Sequence, residues 1–86
     1  MGNNIQSYDI NKEIVEIVSK VTRIDKHSIL KENLIREELG IDSLMSIEII
    51  ANVEKQLNIA IDESKMSNIN TVGDFIKFVE LIMDSK

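Results

Sequence analysis

Ile10, Ile14, Ile17, Val18 and Val21 recur at helical spacing, while Lys12, Glu13, Glu16 and Lys20 fall on the opposite side. This pattern predicts an amphipathic helix from about Asp9 to Val21, with the Asp9 carboxylate capping its first turn. Residues 1–8 are expected to form a flexible tail, which leaves 9–84 as the folded domain. The period is then lost in Thr22-Arg23-Ile24-Asp25-Lys26-His27-Ser28, and a long connection runs on to Gly40. Ile29, Leu30, Leu34, Ile35 and Leu39 are expected to pin it to the core, with a helical turn near Asn33 to Leu39. Connections this long are uncommon in compact domains, and they often position something functional.

Gly40 supplies a flexible turn, and Asp42-Ser43 opens a second helix that runs to about Leu57. At about 100° per residue, Ile47, Ile49, Ile50, Val53 and Leu57 gather on one side. Leu44, Met45, Glu48, Ala51, Asn52 and Lys55 gather on the other, so Leu44 and Met45 are expected to point outward. Leu57, Ile59 and Ile61 alternate like a strand, but a lone strand has no partner for its hydrogen bonds, so the segment reads as an extended, buried connector. Asp62 can cap a short third helix through about Met66. Thr71-Val72-Gly73-Asp74 is a capping-box variant that opens a last helix, with Val72, Phe75, Ile76, Val79, Ile82 and Met83 turned inward. The predicted fold is all-α, a small four-helix bundle with a long loop between helices 1 and 2 and a short third helix.

Composition narrows the function. A chain of 86 residues supports one core, and 43% hydrophobic with 3% aromatic residues makes that core aliphatic. With no Cys and no Pro there is no disulfide framework or thiolate metal site, and the single His27 cannot build a zinc site. The net charge of -5 repels phosphate backbones and anionic lipid, which argues against a nucleic-acid or membrane partner. No apolar run approaches the roughly 20 residues that span a bilayer. Met1 to Asp9 lacks the basic and apolar parts of a signal peptide, and Gln6 stands where a myristoylation signal wants Ser or Thr. A cytoplasmic protein is expected.

The candidate chemistry lies in Leu39-Gly40-Ile41-Asp42-Ser43-Leu44-Met45-Ser46-Ile47-Glu48. Ser and Asp at a helix start are ordinary caps, so capping alone is one reading. The other reading is a phosphate ester on Ser43, where unpaired amides and the positive end of the helix dipole stabilise an anion. Use of Ser43 as a nucleophile is the weakest reading. Nothing near it in sequence supplies a base, His27 lies far along the loop, and no strand-to-helix elbow is visible.

Gly40-Ile41-Asp42-Ser43-Leu44 resembles the modification motif of the acyl carrier protein family, in which the serine receives 4'-phosphopantetheine. The likeness extends to the long preceding loop, the Leu39-Gly40 step, Glu48 five residues after Ser43, the short helix after Asp62 and the closing helix from Thr71. It implies an acyl-carrier-protein-like bundle with Ser43 as the attachment point and no catalytic residues. Asp42 would place the serine in a phosphopantetheinyl transferase that uses coenzyme A and magnesium. The acyl group would ride as a thioester on the thiol of the arm, which suits a chain without cysteine.

The resemblance also implies a monomer that visits acyltransferase, ketosynthase and other synthase enzymes through Leu44, Met45, Glu48, Ala51 and Asn52. Glu37, Glu38, Asp42, Glu48 and Glu54 would furnish the acidic side of that surface. The acyl chain would tuck between the second helix and its neighbours. Fatty-acid carriers of bacteria usually hold an acidic residue where Met45 stands, and Asn52 and Lys55 further dilute the charge of the second helix. In this the chain is more similar to carriers of polyketide or mixed polyketide and peptide synthesis. The alternatives are a fatty-acid-synthesis carrier and an unmodified helical interaction module that uses the same face.

Overall fold

The computed structural model describes residues 6–85, and these form three α-helices joined by irregular connections. α1 spans Gln6–Thr22, α2 spans Ser43–Leu57 and α3 spans Val72–Asp84, with 3-10 turns at Lys26–Ser28 and Glu63–Lys65. No strand occurs among the described residues; there is one isolated bridge, between Leu34 and Thr71. The expected bundle is present, and its short third helix is the single 3-10 turn Glu63–Lys65, capped by Asp62.

α1 buries Ile10, Ile14, Ile17 and Val18 against α2 and α3. It begins earlier than the periodicity indicated, so Asp9 lies inside the helix and is not its cap. Neither Gly nor Pro stands between Gln6 and Asp9 to stop the helix extending. Of the expected tail, residues 6–8 belong to α1, and 1–5 lie outside the described residues. α1 stops where Arg23 turns left-handed at φ 70° and its amide donates to the Ser19 carbonyl. Thr22 Oγ1 donates to the Val18 carbonyl at 2.7 Å and Ser19 Oγ to that of Ile24 at 2.5 Å, closing the helix end with side-chain oxygens.

The long loop owes its order to the start of α3. The Val72 amide donates to the Asn33 carbonyl at 3.1 Å, the Gly73 amide to that of Lys31 at 2.8 Å, and the Ile35 amide to that of Asn70 at 2.8 Å. The orphan donors at the α3 N-terminus are thus met by loop carbonyls. Gly73 permits this approach, since a Cβ there would stand 3.2 Å from the Lys31 carbonyl oxygen. Ile29 is buried, and Ile35 and Leu39 pack against the core; Leu30 is 50% exposed and does not serve as an anchor. The expected turn near Asn33 to Leu39 forms as hydrogen-bonded turns, with the Leu39 amide donating to the Leu34 carbonyl at 3.1 Å.

α3 opens with the anticipated capping box. Thr71 Oγ1 accepts from the Asp74 amide, and the Asp74 carboxylate accepts from the Thr71 amide. The same Oδ2 also accepts from the Asn70 amide, and these backbone donors hold the Asp74 carboxyl below its ordinary 3.8. A carboxyl that is more acidic in the folded state stabilises that state at pH above 3.8, and the contribution fades as pH falls through the lowered value. Acid titration followed by circular dichroism should therefore show stability falling below that pH, with a shallower fall in Asp74→Asn.

Candidate functional site

Gly40 takes φ +67°, and this reversal sends the next side chain, Ile41, into the core at 4% exposure. Asp42 then stands at the N-cap of α2 in extended conformation, its Oδ1 accepting from the Met45 amide at 2.9 Å. Ser43 follows as the first helical residue, with its side chain exposed. Asp42 makes the cap, so the capping-only reading of Ser43 gives way. Among the described residues its hydroxyl has no hydrogen-bond partner, and the Ser43 and Leu44 amides find no acceptor. A free hydroxyl beside two free donors at the positive end of a helix fits a phosphodiester.

Ser43 opens onto a groove of about 920 Å³ between the long loop, α2 and the segment after Asp62. Arg36, Ile47, Ser64, Ser67 and Asn70 also line it. Adjoining it is a small apolar void of about 40 Å³, itself partly open, lined by Val18, Ile41, Ile49, Val72 and Phe75 among others. Ile35, Ser46, Ile50 and Met66 border both spaces and form the wall between them. The void is small, so an acyl chain could enter the core only by pushing these side chains apart.

The outer face of α2 differs in part from its predicted shape. Leu44 is 73% exposed, and Glu48, Ala51 and Asn52 are exposed beside it. Met45, expected outward, is half-buried and packs against the core. Ile47, expected inward, is 55% exposed. The buried stripe centres on Ile49, Ile50 and Val53, and at about 100° per residue Ile47 lies roughly 120° from its centre while Met45 lies about 80° away on the other flank. Sequence reading therefore missed Ile47 as a surface residue; taking the angular centre of the stripe from its three aliphatic members would have found it. The Asn52 amide is turned back onto the Glu48 carbonyl at 2.8 Å.

Three of the five expected docking acids are engaged in the fold, Asp42 among them as the cap of α2. Glu54 Oε2 accepts from the Ile61 amide at 2.8 Å and holds the connector after α2. Glu38 Oε1 accepts from the Leu34 amide at 2.8 Å and from Asn33. Glu37 and Glu48 are exposed, and Asp42 is exposed while it caps. His27 sits exposed on the first 3-10 turn and lines a separate groove with Lys12 and Lys31.

Residues 12–79 match the family described as "Phosphopantetheine attachment site", most of the chain and the whole of α2 with its cap. The "Acyl carrier protein" of Porphyromonas gingivalis is 29% identical over 72 residues, covering 84% of this chain and 92% of that one. That of Wolinella succinogenes is 31% identical over 68 residues, 79% of this chain and 90% of the other, and that of Phytoplasma australiense 35% over 57 residues, 66% and 75%. Proteins of this kind carry covalently attached 4'-phosphopantetheine and are carriers, not catalysts; they work with a phosphopantetheinyl transferase and with synthase enzymes. On the matched domain and these likenesses, the chain belongs to the acyl carrier protein family.

Proposed function

We propose that this protein carries acyl intermediates as thioesters on a 4'-phosphopantetheine arm joined to Ser43, shuttling as a cytoplasmic monomer between synthase enzymes. The observation that carries the reading is the exposed, unbonded Ser43 hydroxyl at the start of a helix already capped by Asp42. The arm supplies the terminal thiol that this cysteine-free chain lacks. Ser43 and the free amides beside it hold the phosphodiester end, and Asp42 keeps the helix start ordered so that a transferase meets one geometry. The test is incubation with coenzyme A, magnesium and a broad phosphopantetheinyl transferase, followed by intact mass; a mass that does not rise by the arm ends the reading.

Docking is assigned to the exposed face of Leu44, Ile47, Glu48, Ala51 and Asn52, with half-buried Met45 at its edge. An apolar strip with an acidic flank favours fast encounter with a basic partner over tight binding, as suits a shuttle. Glu48→Lys should slow acyl transfer by roughly tenfold at low salt, the gap closing as ionic strength rises. Stopped-flow transfer with circular dichroism checks this, and equal rates with an intact fold would remove Glu48 from the interface.

For the pathway, Met45 and the diluted charge of α2 support polyketide or mixed polyketide and peptide synthesis. Fatty acid synthesis agrees equally well with relatives that bear the plain name acyl carrier protein. The mass of the intermediate held in the native host separates the two: oxygenated or branched chains support the first, and saturated straight chains the second.

A further inference from the structure

The groove beside Ser43 is mostly unfavourable to an anion. Glu37 and Glu63 line it, and Arg36 is the one cationic side chain among its described lining residues. Arg36 is exposed, and its guanidinium has no ion pair or hydrogen bond among the described residues, although Glu37 and Glu38 are its neighbours in sequence. Its backbone is well fixed, since its carbonyl accepts from the Gly40 amide at 3.1 Å within the turn that delivers Asp42 and Ser43. A fixed backbone with an uncommitted planar fork of donors is suited to bidentate capture of a phosphate. In the lining of the same groove, the Ser67 hydroxyl and the Asn70 side-chain amide are also without partners among the described residues. Pantetheine offers a hydroxyl and two amides for such groups to bond.

We propose that Arg36 is a positioning residue for the arm, its guanidinium pairing with the phosphodiester on Ser43 so that the pantetheine lies along the groove toward Ser67 and Asn70. This rests on the carrier reading and goes beyond it. Two acidic side chains repel the phosphate and one cation attracts it, which defines the side of Ser43 on which the arm rests. The pairing is exposed and hence weak, so a partner enzyme can lift the arm from the groove without a large barrier.

The test compares apo and holo forms of wild type, Arg36→Ala and Arg36→Lys. Intact mass reports loading, amide shifts at Ser67 and Asn70 report contact, the phosphorus resonance reports the phosphodiester, and a nitroxide on the arm thiol reports its mobility. In wild type, loading should shift the Ser67 and Asn70 amides and slow the nitroxide. Arg36→Ala should load fully yet lose those shifts and free the nitroxide, and Arg36→Lys should restore them in part, because an ammonium gives the charge without the fork. Full loading with no wild-type shifts at these amides, or with the same shifts in Arg36→Ala, overturns the role of Arg36 and leaves the carrier reading standing. A wild-type chain that gains no mass overturns both.

Discussion

Ser43→Ala should abolish attachment of the arm while changing stability by less than about 0.5 kcal/mol. The loss is expected to be complete because the ester needs the hydroxyl oxygen of that side chain, and methyl offers no substitute. The fold should tolerate the change because the hydroxyl makes no hydrogen bond among the described residues and the helix start is capped by the carboxylate of Asp42. Alanine is also the most favourable residue for helix. Ser46→Ala is the natural control. Ser46 is half-buried three residues farther on, in the wall between groove and void, and its replacement should leave loading intact. Intact mass with denaturant titration checks both variants, and an equal mass gain in Ser43→Ala would place the modification elsewhere.

What could be read from the sequence follows the range of the interactions involved. The helix start at Asp42-Ser43 and the capping box of Thr71 and Asp74 are set by residues within a turn of one another, and both appear as expected. The inward faces of α1 and α3 follow from period alone. The misread residues depend on distant neighbours. Leu30 stays outside because the loop around it is set by backbone bonds to Asn70, Val72 and Gly73, some forty residues away. Glu38 and Glu54 look like free surface acids in a one-dimensional pattern, yet each meets a backbone amide left over by the chain's turns. Arg36 carried no motif, and only the fold brings it and Ser43 into the lining of one groove. α1 has no breaker ahead of Asp9, so the apolar period marked its core-facing part and not its first residue.

Phe75→Ala should have the largest effect on stability, costing about 3–5 kcal/mol. Phe75 is 5% exposed on α3 and lines the small apolar void of about 40 Å³ that adjoins the Ser43 groove. Removing the ring joins its volume to a space that already exists, in a core with only three aromatic residues in the whole chain to fill it. The other side chains lining that space are mostly aliphatic and cannot span the gap without leaving their rotamers, so collapse will be partial. Against a total stability of roughly 5–15 kcal/mol, the variant should unfold at much lower urea and temperature. Leu81→Ala, on the same helix at 62% exposure, should stay within about 0.5 kcal/mol and controls for helix propensity. Equal losses in the two would reverse the assignment of the inward face of α3. Where Phe75→Ala remains folded it should still accept the arm at Ser43, because the cap and turn that present the serine depend on Asp42 and Gly40 and not on the ring. That separation of stability from loading can be measured on one sample, by following intact mass below the shifted midpoint.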